Sequence, residues 1–252
     1  MMLTPFQTLE RRIWRNFAKG CKHYALLSDN DRILVAVSGG KDSLTLLDFL
    51  ARRAKIYRPR IEIVAAHVRM ANIPYETDAA MLADFARARG VRLVTLEASF
   101  SMQSDSRKNV CFLCSWNRRK ALFNAARQLN CNKIALGHHQ DDILHTLLLN
   151  LLYEGRFSTM PVRIEMEKFP VTIIRPLGMV READVQAYAE AQHFPQQKRL
   201  CPYEKATQRA VVRELFSKME QNNPESRFSM WNALDKAGKL TESRDSAADV
   251  SS

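Results

Sequence analysis

Short apolar runs alternate with longer helical patterns along most of this chain of 252 residues. The apolar runs are rich in β-branched side chains, as buried strands are. Five predicted strands span residues 32–37, 61–68, 91–96, 133–136 and 171–174. Strands that alternate with helices of roughly ten or more residues are joined by right-handed crossovers, which produce a parallel sheet. The sequence therefore predicts an α/β fold, a five-stranded parallel sheet with helices on both faces.

Helical periodicity fills the segments between these runs and continues beyond both ends of the predicted sheet. The predicted helices span residues 5–27, 44–54, 75–89, 115–129, 141–153, 181–192 and 205–219. We divide the chain into a basic N-terminal helix (1–28), an α/β domain that carries a C-x-x-C motif (29–200), a C-terminal helical segment with Cys201 (201–240) and a flexible tail (241–252). Ligands of such a sheet bind beyond the carboxyl ends of its strands, where the loops meet.

The net charge and the hydrophobic content of the sequence limit which kinds of protein this can be and which partners it can bind. Lysine and arginine number 38 against 27 aspartates and glutamates, a net charge of +11 that favours an anionic partner, nucleic acid first and an acidic membrane second. Because 46% of the residues are hydrophobic, a disordered chain and a coiled coil are excluded. No apolar run approaches the roughly 18 residues of a membrane span, and the charged opening sequence argues against a secretory signal, so we expect a cytoplasmic protein with no membrane partner.

The first predicted strand runs into a turn that suits an anion. Its residues are Ser38, Gly39, Gly40, Lys41, Asp42 and Ser43. Between a strand and a helix, the backbone N–H groups of such a turn converge on a phosphate, and two glycines allow close approach. Lys41 adds a positive charge, the two serine hydroxyls can donate, and Asp42 is expected to orient the loop or to hold magnesium. The alternative is a plain glycine turn in which Asp42 caps the helix.

Sulfur chemistry is indicated by Cys111 and Cys114, a C-x-x-C just ahead of a predicted helix. This spacing lets both thiolates reach one metal, while the N–H groups of the first helical turn stabilise the negative sulfur. Cys201 is a candidate third ligand, and three thiolates without an evident fourth favour an iron–sulfur cluster with one open iron over a closed zinc site. The alternatives are a redox-active dithiol, a zinc site completed by His138 or His139, and inert buried cysteines.

Further polar residues follow the fourth strand, at the same rim. Gly137 comes directly after the strand, and Asp141 and Asp142 fall at the predicted start of the next helix. The two carboxylates either cap the helix or bind magnesium and handle protons. His138 and His139 lie in the same loop and are candidates for contacts with phosphate or RNA.

Three arginines are candidates for RNA binding. Arg175 lies at the carboxyl end of the fifth strand, where its guanidinium can reach the same cleft. Arg118 and Arg119 follow the C-x-x-C and are candidates for a positive track along an RNA backbone. A rim salt bridge for Arg175 and a solvated helix face for the other two are the alternatives.

The Ser38–Ser43 sequence resembles the PP-loop of the N-type ATP pyrophosphatases, which share the adenine nucleotide alpha hydrolase-like fold. Members of that family transfer AMP from ATP to a carbonyl oxygen and release pyrophosphate. Residues 136–142 (LGHHQDD), together with Cys111-Phe-Leu-Cys114 and Cys201, are similar to the tRNA-thiolating branch, in particular the enzymes that form 2-thiocytidine. The resemblance covers about residues 10 to 235.

This resemblance implies an ATP-dependent tRNA sulfurtransferase whose substrate base is cytidine, activated at C2. It implies that residues 38–43, His67 and Gly137 bind ATP with Mg²⁺, and that Lys41, Asp141 and Asp142 take part in catalysis. It further implies a 4Fe–4S cluster on Cys111, Cys114 and Cys201, whose open iron carries sulfur from a cysteine desulfurase or from sulfide. Alternatives are a lysidine-synthetase-like tRNA ligase and a non-catalytic ATP- and RNA-binding protein with a structural metal. The oligomeric state is left open, with a homodimer as one candidate.

Overall fold

The computed structural model of the protein describes residues 3–72, 78–100, 110–167, 169–195 and 208–243. The helices of these parts are α1 Pro5–His23, α2 Lys41–Ala54, α3 Ala79–Arg87, α4 Val110–Gln128, α5 Gln140–Glu154, α6 Glu182–Ala191, α7 Gln208–Asn222 and α8 Ser226–Lys236. The strands are β1 Asp31–Ala36, β2 Ile61–Met70, β3 Leu93–Ala98, β4 Lys133–Ala135, β5 Arg163–Glu165, β6 Thr172–Ile174 and β7 Thr241–Glu242. Within these parts of the chain, no helix is both long enough and apolar enough to cross a membrane.

The strands form one sheet in the order β3-β2-β1-β4-β6-β5-β7. Its first five members run parallel to one another and correspond to the five predicted strands, which confirms the α/β class. The predicted strand count is wrong, because two short strands extend the sheet: β5 pairs antiparallel with β6, and β7 pairs with β5. β5 has one apolar residue in three, too few to produce a strand pattern, and β7 is two residues long and begins the predicted flexible tail.

The order of the strands places the loops of interest side by side. β1 lies between β2 and β4, so the chain leaves β1 toward one edge of the sheet and later returns to the other side of β1. Ala36 pairs with Ala66, and Val35 pairs with Ala135. The loops after β1 and β4 therefore meet at the carboxyl edge, at the switch point where open α/β sheets bind ligands.

Alternation along each strand fills two cores, one on each face of the sheet. Ile33 and Val35 of β1 are buried in the larger core, to which helices from both ends of the chain contribute. Leu34 faces the opposite way, toward Leu122 and Phe123 of α4. This arrangement follows from the period of two in a strand that is covered on both sides.

The terminal helices pack into the larger core. A capping box between Thr4 and Gln7 starts α1, in which Ile13 and Phe17 are fully buried. Near the other end, Leu234 of α8 is fully buried in the same core. The helix α8 was not distinguished from α7 in the sequence, and the division into four segments stays a prediction.

Helix α4 begins at Val110, five residues before the predicted start at 115. Cys111 and Cys114 therefore lie inside the first turns of the helix, and the prediction that they precede it is wrong. Asn109, a residue type that favours the N-cap position, stands directly before Val110 in the sequence and is a start signal that the prediction did not include. The predicted helices at 75–89 and 205–219 correspond to α3 and α7, and their first residues lie outside the described parts.

Candidate active site

The loop after β1 is shaped by its own glycine and serine residues. Gly39 has a φ of +87°, a conformation that is strained for any residue with a Cβ atom. The Ser43 hydroxyl accepts hydrogen bonds from the N–H groups of Ser38 and Gly39, both at 3.2 Å, and donates to the Gly40 carbonyl at 2.9 Å. Ser43 therefore folds the loop back onto the first turn of α2.

The N-terminus of α2 is left open for an anion. Gly40 is the N-cap residue, and no side chain makes a capping hydrogen bond there, so the alternative in which Asp42 caps the helix is not what the structure contains. The first N–H groups of a helix need an external acceptor, and the helix dipole makes a negative one favourable. An uncapped helix that follows a glycine-rich turn is an arrangement that binds phosphate.

Gly137 brings the loop after β4 against this turn. A Cβ atom at this position would lie 3.0 Å from both the Asp42 carbonyl carbon and the Ser43 nitrogen. These are backbone atoms and cannot rotate away. Only glycine therefore allows the two loops to come this close.

Lys41 lies between two carboxylates. Its ammonium is 3.0 Å from Asp42 and 3.2 Å from Glu182, the first residue of α6. Burial lowers the pKa of Lys41, but the two carboxylates outweigh it and the net pKa is raised. Lys41 therefore stays charged, at the open end of α2. Glu182 was missed in the sequence, because nothing local marks a residue that reaches a loop 141 positions away.

Asp141 and Asp142 differ in what they bind. Asp141 is buried, and its two oxygens accept hydrogen bonds from Arg227 and from the Glu182 N–H, both at 2.7 Å. Burial alone would raise the pKa of Asp141. The hydrogen bonds and charge of Arg227, together with the Glu182 N–H, have the larger effect, so the pKa of Asp141 is lowered. Asp142 forms a capping box with His139, and its side chain is 31% exposed. Arg227, like Glu182, gave no signal in the sequence.

His67 lies at the carboxyl end of β2, next to the phosphate loop. It is 2% exposed, and its Nδ1 lies 2.8 Å from the Val37 carbonyl, to which it donates as a neutral imidazole. Burial, aided by the nearby charge of Arg118, lowers its pKa. The Nε2 atom has no hydrogen-bond partner within the described residues. This acceptor atom is enclosed beside the loop after β1, and the ATP-binding role predicted for His67 stays a prediction.

Arg175 and His138 form a pair on the other side of the loop after β4. Arg175 is buried, its Nε donates to His138 Nδ1 at 3.1 Å, and its Nη1 donates to the Pro161 carbonyl. Burial, with the charge of Arg119, lowers the pKa of Arg175 to about 10. Burial and Arg175 lower the pKa of His138 to about 3, so the imidazole is neutral.

Cys111 is exposed and Cys114 is half-buried, three residues apart on one face of α4. Neither forms a disulfide with another described cysteine. Cys201, the predicted third ligand, lies outside the described residues. Among the residues that are described, no group of three or more histidine, cysteine, aspartate or glutamate side chains is arranged to hold a metal ion.

An uncapped, glycine-rich helix start at the switch point of an α/β sheet is typical of the class of proteins that bind nucleotide phosphates. The model of the PP-loop domain family matches residues 7–219. Two relatives are the tRNA-cytidine(32) 2-sulfurtransferase of Pasteurella multocida (strain Pm70), 33% identical over 91% of this chain and 74% of its own length, and tRNA-cytidine(32) 2-sulfurtransferase 1 of Francisella tularensis subsp. tularensis (strain WY96-3418), 34% identical over 90% and 86%.

This chain belongs to the PP-loop domain family, and its relatives include the tRNA-cytidine(32) 2-sulfurtransferases. A solved structure with a similar fold is the U34-tRNA thiolase NcsA from Methanococcus maripaludis, with its 4Fe-4S cluster. It matches with a TM-score of 0.77 and 24% identity over 91% of this chain and 80% of its own. The family resemblance inferred from the three motifs is therefore confirmed.

Proposed function

We propose that this chain is an ATP-dependent tRNA sulfurtransferase that activates a base carbonyl, at C2 of a cytidine, and replaces its oxygen with sulfur. The observation that carries the proposal is the uncapped start of α2, which Gly137 packs against the loop after β4. The relatives named as 2-sulfurtransferases of tRNA support the same substrate and reaction.

Adenylation follows from the groups at this switch point. The N–H groups at the start of α2 and the ammonium of Lys41 would hold the phosphates of ATP, and Lys41 would exchange its carboxylate partners for phosphate oxygens. The carbonyl oxygen of the base attacks the α-phosphorus, and pyrophosphate leaves with its charge stabilised by those fixed donors. His67 and Gly137 complete the proposed ATP site.

Of the two adjacent carboxylates, we assign the chemical role to Asp142. Both oxygens of Asp141 are already engaged, by Arg227 and by the Glu182 N–H, so Asp141 positions α6 and α8 around the site. Asp142 is more exposed than Asp141. His139 lies between Asp142 and Asp42: its Nδ1 is 3.3 Å from an Asp142 oxygen, and its Nε2 is 3.9 Å from an Asp42 oxygen. Oxygen ligands of this kind suit Mg²⁺.

The donor set on α4 fits an iron–sulfur cluster. Cys111 and Cys114 are soft ligands at a spacing that lets both thiolates face one metal centre, near the positive end of their helix. We propose Cys201 as the third ligand. A 4Fe–4S cluster held by these three cysteines would supply sulfur at the oxidation level of sulfide for the activated carbon, from which AMP would leave with the former carbonyl oxygen.

The partners follow from the reaction. We propose tRNA as the substrate, with Arg118, Arg119 and Arg175 contributing to its binding, and the cytoplasm as the location. The sulfur donor, a cysteine desulfurase or sulfide, and a homodimeric state stay predictions.

Lys41→Ala tests the adenylation step. We expect pyrophosphate release from ATP in the presence of tRNA to fall by about 10² to 10³, because one preorganised charge at the leaving group is lost. Lys55→Ala, at the other end of α2, is the matched control and should leave the rate unchanged. No tRNA-dependent pyrophosphate release from the wild type would favour the non-catalytic alternative.

Cys114→Ser, with Cys131→Ser as the control, tests the sulfur step. Anaerobically purified wild type should show the visible absorption of an iron–sulfur cluster and thiolate tRNA, whereas Cys114→Ser should lose both. Stoichiometric zinc without iron in the wild type would contradict the cluster, and incorporation of an amine instead of sulfur would identify a ligase.

A further inference from the structure

We propose that Arg175, His138, Arg119 and Arg209 form a binding pocket for a phosphate group of the RNA backbone, beside the PP-loop. The inference rests on the proposed function, because it names the part of the tRNA that this side of the cleft would hold. His138 is already a candidate for RNA contacts from the sequence, and Arg209 is added here because its charge acts on His138.

A fixed pair of donors forms the base of this pocket. Arg175 is only 7% exposed, and it is held by the Pro161 carbonyl and by His138. Because His138 Nδ1 accepts the hydrogen bond of Arg175, its proton resides on Nε2. The imidazole is therefore a hydrogen-bond donor of fixed orientation.

Two donor atoms of this pair remain open. Within the described residues, neither Arg175 Nη2 nor His138 Nε2 makes a hydrogen bond, and neither is enclosed in the way that His67 Nε2 is. A buried guanidinium that keeps a donor directed at accessible space is suited to an oxyanion, for which its geometry is complementary.

The charge around the pair is not compensated. Arg119 of α4 lowers the pKa of both Arg175 and His138, and Arg209 of α7 lowers that of His138, so both guanidinium groups lie near the pair. Glu242 and Asp142 act on Arg175 in the opposite direction, but burial and Arg119 outweigh them. No carboxylate of the described residues forms an ion pair with any of the three arginines. Positive charges that lie close together repel each other and destabilise the site, and a bound anion would offset this repulsion.

The distance of Arg175 from the PP-loop favours a phosphate of the RNA over a phosphate of ATP as the bound anion. Arg175 follows β6, which lies two strands from β1 and hence roughly 10 Å from the strand that carries the PP-loop. Arg119 is on α4, the helix that also carries Cys111 and Cys114. A nucleotide held at the PP-loop leaves this second anion position to another molecule.

Arg119→Ala tests the proposal, because Arg119 is exposed and its loss does not disturb the core. Its matched control is Arg127→Ala, which removes the same charge from the last turn of the same helix. We expect Arg119→Ala to weaken tRNA binding about tenfold and to reduce the slope of log Kd against log salt by about 0.7 to 0.9, with ATP affinity unchanged. Arg127→Ala should stay within about twofold of the wild type.

A second pair of variants tests the donor. His138→Gln keeps an N–H group near the Nε2 position and should bind tRNA almost as the wild type does, whereas His138→Leu should resemble Arg119→Ala. Equal effects of Arg119→Ala and Arg127→Ala would overturn the pocket, and so would a loss of ATP affinity in place of tRNA affinity, which would assign the anion to the nucleotide. Failure of the wild type to thiolate tRNA would instead refute the proposed function.

Discussion

Replacing Gly137 with alanine tests whether the contact between the two loops sets the shape of the phosphate site. The added Cβ would lie 3.0 Å from the Asp42 carbonyl carbon and the Ser43 nitrogen, where ordinary contacts begin at 3.4 Å. The end of β4 and the start of α2 must therefore separate by about 0.4 Å, since 3.4 minus 3.0 is 0.4. No side chain can absorb this shift, because the atoms that are met belong to the backbone.

The size of the effect follows from this displacement. Overpacking at a tight contact costs about 1–3 kcal/mol, and the lower entropy of the unfolded alanine chain offsets up to about 1 kcal/mol of that. A net loss of about 1–2 kcal/mol lowers the Tm of a chain of this length by about 2–8 °C. A misplacement of 1 Å in an active site can cost about 10² in rate, so a shift of about 0.4 Å is expected to lower kcat/KM for ATP about tenfold.

The assay compares Gly137→Ala with a control that makes the same chemical change elsewhere. A Cβ at Gly20, inside α1, would meet Met179 Cγ at 3.4 Å, and that flexible side chain can adjust. Gly20→Ala should therefore leave the Tm unchanged or raise it, since alanine favours a helix by about 0.5–1 kcal/mol over glycine. Thermal unfolding, ATP affinity and tRNA-dependent pyrophosphate release are measured for both variants. Wild-type ATP affinity and turnover in Gly137→Ala would refute the reasoning.

Two further predictions concern buried charge. Arg227→Met should lower the free energy of unfolding by about 3–5 kcal/mol in urea titrations, because it leaves the Asp141 carboxylate buried without a counter-charge. Adding Asp141→Asn to that variant should recover part of the loss, and no recovery would mean that Arg227 acts by packing alone. The folded pKa of His138 is lowered from 6.5 to about 3, so its contribution to stability is present above pH 6.5 and is lost as the pH falls toward 3. Wild type should lose stability across this window more steeply than His138→Gln, and parallel curves would contradict the shift.

The sequence was sufficient to predict the parallel sheet and the place of its ligand site. Apolar runs of β-branched residues marked the five parallel strands, and the rule that ligands bind at their carboxyl ends brought the loops after β1 and β4 together. The antiparallel strand β5 could not be predicted, because Arg163, Ile164 and Glu165 carry no pattern and pair through contacts with β6 and with Thr241.

The different roles of Asp141 and Asp142 could not be predicted from the sequence. In the sequence, both are carboxylates at the start of a predicted helix and cannot be told apart. The fold distinguishes them, because Asp141 pairs with Arg227, 86 residues further along the chain. The predicted start of α4, at residue 115, is also too late, although Asn109, a residue type that favours the N-cap position, stands directly before Val110.

These long-range contacts connect the C-terminal helices to the phosphate loop. Arg227 of α8 holds Asp141, Asp141 accepts the N–H of Glu182 at the start of α6, and the Glu182 side chain holds Lys41. Each link joins residues that are distant in sequence and at least half-buried, so the position of Lys41 depends on the packing of α6 and α8 as well as on its own loop. Arg227 forms no hydrogen bond or ion pair with Lys41, and its side-chain hydrogen-bond partners among the described residues are Asp141, Glu220 and Gln140. A loss of ATP affinity in Arg227→Met that exceeds its effect on folding would therefore be transmitted through these partners, of which Asp141 is linked through Glu182 to Lys41.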